Sequence, residues 1–64
     1  GRYTIEDHSG SKFSGYLFSV DGKFEDKFQD VNFIEIDLNR KTTALHILTL
    51  INESDERKTI KLTR

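Results

Sequence analysis

Hydrophobic residues recur at every second position in several segments of this chain, which is the spacing of β-strands that bury one face. In the segment 31–38, every second residue from Ile34 onward is aliphatic, and the residues between them include two acids. The segment 57–64 alternates in the same way around Ile60 and Leu62. Both segments therefore predict strands with one buried and one solvated face.

Aromatic-rich segments on both sides of Asp21-Gly22 predict a β-hairpin. A two-residue loop would set the aromatic side chains on the same face as Lys and Glu, so we expect a three-residue loop instead. In that loop Gly22 takes a positive φ, and Phe18 pairs with Phe24. The face that we expect to pack into the core then comprises Tyr16, Phe18, Phe24 and Phe28.

Two segments fit a helix as well as a strand. Phe24, Phe28 and Val31 have the spacing of one helix face, so a short helix after the turn is an alternative to the second hairpin strand. The segment 43–52 fits either a helical stripe or a strand that is buried on both faces. Its Thr and Ile residues and its lack of Glu and Lys favour the strand. The segment 3–5 is a further short strand.

Together these elements predict an all-β domain, a meander of five to six antiparallel strands. A small open sheet leaves one face wet and its edges unpaired. We therefore expect the meander to close into an SH3-like or OB-like barrel, or to form a minimal sandwich. A chain of 64 residues makes one small β domain at most. It contains no Met, and we interpret it as a fragment of a longer protein.

Composition excludes several kinds of site. The chain has no Cys, so it has neither disulfides nor thiolate zinc sites. No apolar run approaches the roughly 18 residues that span a bilayer, so we expect no membrane partner. Charge is unevenly distributed: residues 21–39 carry six acidic and two basic side chains, whereas residues 40–64 carry six basic and three acidic ones. We expect most of these charges to pair across neighbouring strands.

The chemistry-bearing residues form no recognisable catalytic pattern. His8 and His46 are the only histidines, and a metal site needs more converging ligands than they supply. No nucleophile motif or phosphate-binding glycine loop is present, so we expect no enzyme activity, no catalytic residue, no cofactor and no metal. His46 lies in an apolar run, where burial favours the neutral ring. Asn52 begins an Asn-x-Ser tripeptide, which is meaningful only in a secreted protein.

These observations predict a non-enzymatic protein–protein interaction module or a structural domain of a larger protein. Phe13 and Phe33 lie opposite the predicted core and are candidates for an apolar contact. The edge strand 57–64 is a candidate for pairing with a partner protein or with a second copy of the chain. The alternative is a small nucleic-acid-binding β-barrel that uses the basic second half. The candidate partner-binding residues are Phe13, Phe33, Arg40, Lys41, Arg57, Lys58, Lys61 and Arg64.

Overall fold

The computed structural model describes all 64 residues and contains six antiparallel strands in two sheets, with no helix. This confirms the all-β prediction, and both ambiguous segments are strands rather than helices. The strands are β1 (Arg2–Glu6), β2 (Phe13–Ser19), β3 (Phe24–Val31), β4 (Phe33–Asp37), β5 (Leu45–Asn52) and β6 (Arg57–Thr63).

The strand order differs from that of a meander. A two-stranded sheet pairs β1 with β4, and a four-stranded sheet has the order β3-β2-β5-β6. Only β2–β3 and β5–β6 join strands that are consecutive in sequence, so the meander prediction is wrong. The physical reason lies in β5, which is apolar on both sides and so suits the interior of a sheet, between β2 and β6. Neither sheet closes into a barrel.

The predicted turn of the β2–β3 hairpin is confirmed. The Ser19 N–H donates to the Lys23 carbonyl at 2.8 Å, and the Gly22 N–H donates to the Ser19 carbonyl at 2.9 Å. Gly22 has a φ of +90°. Phe18 pairs with Phe24, and their rings meet edge to face with centroids 5.7 Å apart.

The predicted facing of this hairpin is wrong. The register shifts between the Leu17 and Phe18 pairs, so Phe28 lies opposite Gly15 on the core side while Phe24 lies opposite Phe18 on the solvent side. Phe13, which was expected to be exposed, is only 7% exposed and belongs to the core. Both sides of β2 carry large apolar side chains, so alternation alone does not select the buried side. The core comprises Phe13, Leu17, Ile34, Ile36, Leu38, Leu48 and Leu62.

The two sheets share this core, and they approach closely at Gly15. A Cβ atom at Gly15 would lie 2.9 Å from Ile34 Cδ1 of the two-stranded sheet. At one end of the molecule, Tyr3 joins the free edges of β1 and β6. Its hydroxyl donates to the Thr63 carbonyl at 2.8 Å and accepts the Thr63 N–H at 3.0 Å. The hydrogen bond with the Thr63 side chain is the main cause that lowers the pKa of Tyr3.

Candidate interaction surface

The four-stranded sheet has one side on the core and one side in solvent, which we call the outer face. Phe18 lies at its centre, paired with Phe24 on β3 and with Ile47 on β5. Phe24 is 52% exposed, whereas Tyr16, Phe18 and Ile47 are half-buried. The two-stranded sheet packs on the opposite side, so the chain itself leaves these aromatic and aliphatic side chains uncovered.

Every charged residue that the strand register places on the outer face is basic. Lys27 pairs with Tyr16 on one edge strand, and Lys61 pairs with Ile47 on the other. Arg57 pairs with Ile51 on the same edge as Lys61. The outer face therefore has an apolar centre and cations along both edges. No carboxylate stands at these paired positions.

The acidic side chains of β4 lie on the other side of the molecule. Glu35 and Asp37 point to solvent from the two-stranded sheet, and Arg2 is 4.0 Å from Glu35 and 3.4 Å from Asp37. The backbone N–H of Asn39 is the main cause that lowers the pKa of Asp37. The acids of β4 and the cations of β6 stand on different sheets. Among the Lys and Arg residues of 40–64, the expected pairing with the acids of 21–39 is limited to the 3.6 Å contact of Lys41 with Glu25.

The predicted apolar pair is not brought together by the fold. Phe13 is in the core, as described above, because it faces the two-stranded sheet. Phe33 is 46% exposed, so its predicted exposure is confirmed, but it lies on the solvent side of the two-stranded sheet beside Glu6. A contact surface formed jointly by Phe13 and Phe33 is therefore excluded by their positions.

The six predicted basic residues are spread over the molecule. Arg57 and Lys61 lie on the outer face, Lys58 lies on the opposite side of β6, and Arg40 is exposed in the β4–β5 turn. Arg64 donates to the backbone carbonyls of residues 41 and 42, at 2.9 and 3.1 Å. Their part in binding stays a prediction, but they do not form one continuous basic surface.

Sequence reasoning missed the outer-face residues Tyr16, Phe18, Phe24, Ile47 and Lys27, because it assigned the first three to the core. One signal was available in the sequence. Strands β2 and β5 are apolar at both odd and even positions, and one of those two sets has to lie outside any core that a small domain can build.

A buried polar cluster lies between β3 and β5. His46 is fully buried, its Nδ1 atom contacts the Glu25 carboxylate, and its Nε2 atom is 2.8 Å from the Thr43 carbonyl. Both neighbours are acceptors, so a ring that is protonated on both nitrogens donates to both, whereas a neutral ring donates to only one. Burial of His46 agrees with the sequence interpretation. All partners of the cluster are internal, which indicates a structural role.

A cleft of about 550 Å³ opens between β1 and β6, and we call it the β1–β6 cleft. Its floor is apolar and includes Phe13, Leu50 and Ile60. Its rim is charged, with Glu6 on the β1 side and Lys58 on the β6 side. The cleft combines an apolar surface with the exposed edges of two strands.

The remaining chemistry-bearing residues stand apart. No three or more His, Asp or Glu side chains converge where they could hold a metal ion. Asp7, in the loop after β1, accepts hydrogen bonds from the hydroxyl and the N–H of Ser9, and these lower its pKa. The structure has no helix that is long and apolar enough to cross a membrane. Comparison with protein-family models, curated proteins and solved structures finds no match to this chain.

Proposed function

We propose that this domain is a non-enzymatic protein–protein interaction module that binds its partner through the outer face. The proposal depends on one observation: the exposed Phe24 and the half-buried Tyr16 and Phe18 lie beside aliphatic residues of β5, on a face that the chain does not cover. A domain of this size needs its apolar side chains for the core. Those that it leaves on one continuous surface favour a binding role. A structural domain would use the same face against a neighbouring domain of a larger protein.

The charge of the outer face indicates the chemistry of the partner. Lys27, Arg57 and Lys61 surround the apolar centre without a carboxylate among them. A protein surface with an apolar centre and an acidic rim complements this arrangement. A second copy does not, because stacking two outer faces brings two sets of cations together without counter-charge.

Nucleic-acid binding is the second candidate, because aromatic side chains beside lysines also suit stacked single-stranded bases. The sequence associates this candidate with a closed SH3-like or OB-like barrel, whereas the two sheets of this chain are open. Two features favour a protein partner. The net charge of the chain is −1, whereas nucleic-acid-binding domains are usually basic. The β5 part of the outer face is aliphatic, with Ile47 and Ile51 where a stacking surface would use aromatic rings.

An amide NMR titration with defined probes tests the proposal. The probes are an amphipathic peptide of Leu and Glu, the same peptide with Lys in place of Glu, and a mixed-sequence single-stranded oligonucleotide. We expect the acidic peptide to shift the amides of residues 16–18, 24, 27 and 47, and the basic peptide to leave them unchanged. An equal response to both peptides contradicts the proposal. Shifts with the oligonucleotide that disappear at moderate salt replace it with the nucleic-acid function.

Phe24→Ser and Phe33→Ser form a matched pair of variants for this titration. The two side chains are similarly exposed, at 52% and 46%, but they lie on opposite sides of the molecule. Both variants should stay folded, because neither ring belongs to the core. Only Phe24→Ser should weaken binding of the acidic peptide, by about tenfold or more, since central aromatic residues dominate protein interfaces. Equal weakening by the two variants would contradict the outer face as the binding surface.

A further inference from the structure

We infer that the free edge of β6 is a second binding site, at which an extended peptide of alternating acidic and apolar residues adds as a strand beside the β1–β6 cleft. The site uses the backbone edge of β6 rather than the apolar centre of the outer face, shares Arg57 and Lys61 with the rim of that face, and goes beyond the proposed function. Two observations at the same edge support it, namely unpaired backbone groups and an adjacent apolar floor.

Two hydrogen bonds fix the direction of the backbone groups of β6. The Thr63 N–H points away from β5, to the Tyr3 hydroxyl, whereas the Glu56 carbonyl points toward β5 and accepts the Asn52 N–H at 3.1 Å. In an antiparallel strand, the N–H and C=O groups of one residue point to the same side, and those of the next residue point to the opposite side. The residues that present both groups at the free edge are therefore Arg57, Thr59 and Lys61.

The β1–β6 cleft lies directly beside this edge. Tyr3 links the edges of β1 and β6 through its hydrogen bonds to Thr63, and the cleft lies between the same two strands. Leu50 and Ile60 contribute to its floor. A strand that pairs with β6 would direct every second side chain toward this floor, which favours apolar residues at those positions.

The side chains of β6 that point away from the cleft determine which residues are favoured at the remaining positions of the peptide. Arg57 and Lys61 flank Thr59 on the outward side of β6, so the residues opposite them should be acidic. A peptide with the pattern Glu-Val-Thr-Val-Glu meets both requirements. A second copy of β6 does not, because antiparallel pairing centred on Thr59 sets Arg57 of each copy against Lys61 of the other.

The first test is amide hydrogen exchange of the chain with the capped peptide Glu-Val-Thr-Val-Glu. We expect the amides of Thr59 and Lys61 to exchange more slowly at peptide saturation. The same peptide with an N-methylated Thr, or with Lys in place of Glu, should bind about tenfold more weakly, because it loses a strand hydrogen bond or both charge pairs. Unchanged exchange at these amides, equal binding of the N-methylated peptide, or no binding of the parent peptide overturns the inference.

Thr59→Pro and Thr4→Pro provide matched variants. Each removes one N–H from a free edge. In β1, the Gly1 carbonyl points toward β4, where it accepts the Leu38 N–H, so the backbone groups of Thr4 point away from β4 to the free edge. Thr59→Pro should weaken peptide binding about tenfold, and Thr4→Pro should leave it unchanged. If Thr59→Pro does not fold, binding of the N-methylated peptide to the unsubstituted chain, compared with binding of the parent peptide, provides the test. If the peptide slows exchange only at amides of the outer face, it binds there and not at the edge of β6, and the inference is overturned. If exchange of the Thr59 amide slows with rising protein concentration and without peptide, the edge pairs with a second copy of the chain, and the inference is likewise overturned.

Discussion

His46 is the one polar side chain among the four that are fully buried, and both of its ring nitrogens face acceptors. His46→Leu leaves the Glu25 carboxylate without this partner in a largely buried position. We expect a loss of about 2 kcal/mol or more in the free energy of unfolding, since breaking one side of a buried polar pair is costly. Urea denaturation measures it. The double variant with Glu25→Leu should recover part of the loss, and a double variant less stable than the single one would contradict this account.

Gly22 is constrained by its backbone alone. Its φ is +90°, and a Cβ atom at this position would meet no atom within 4 Å. Gly22→Ala should therefore destabilise the domain by about 1 kcal/mol through conformation rather than through a clash. Gly22→Asn serves as the control, because Asn tolerates positive φ better and should cost less. Equal urea midpoints for the Ala variant and the unsubstituted chain would refute the role of the turn.

The strands differ in how far their sequences determine them. β4 and β6 were predictable in their facing, because only one side of each carries aliphatic residues, Ile34 and Ile36 in β4 and Ile60 and Leu62 in β6. The predicted extent of 31–38 was too long, because Val31 ends β3 and β4 covers only Phe33–Asp37. β2 was predictable as a strand but not in its facing, because both of its sides are apolar. In β3, a register shift of one residue moved Phe28 to the side opposite Phe24, and alternation cannot anticipate such a bulge.

The contact between the sheets depends on the lack of a side chain at Gly15 in β2. A Cβ atom there would lie 2.9 Å from Ile34 Cδ1 and 3.3 Å from Leu50 Cδ2. Gly15→Ala should therefore overpack the core and lower the free energy of unfolding by about 1–3 kcal/mol. Ile34→Val removes the methyl group that is most crowded, so it should cost less in the Gly15→Ala background than alone. Thermal unfolding of the four proteins of this cycle gives the coupling, and strict additivity would argue against the contact.

For the whole molecule, the outer face is a consequence of strand order. Pairing of β2 with β5 is distant in sequence, and turn signals report only neighbouring segments. The sequence therefore indicated five to six strands but not which of them share a sheet. The candidate site depends on that order, because β5 carries Ile47 to the side of Phe18. For this reason the sequence showed these residues as apolar strand positions, but it did not predict the surface that they form together.

Acid stability is also a property of the whole fold. Hydrogen bonds from Ser9, Ser19 and Asn39 are the main causes that lower the pKa values of Asp7, Asp21 and Asp37. Their stabilisation is present above the ordinary Asp pKa of about 3.9 and is lost as the pH falls through the lowered values of the folded state. Urea midpoints should therefore fall steeply below about pH 4. Asp37→Asn should flatten this fall, and an unchanged profile would contradict it.

Tyr3 is the one hydrogen-bonded link between the free edges of β1 and β6, since the two strands do not pair. Tyr3→Phe keeps the ring but removes the hydroxyl that both accepts from and donates to Thr63, so the free energy of unfolding should fall by about 1 kcal/mol. Tyr16→Phe is the matched control, because the Tyr16 hydroxyl makes no hydrogen bond in the structure and its loss should cost little. Hydrogen exchange distinguishes a local from a global effect. The Thr63 amide should exchange faster in Tyr3→Phe even after correction for global stability, because its N–H then loses the acceptor that holds it in the structure. Equal behaviour of the two variants would mean that the apolar core alone holds the sheets together.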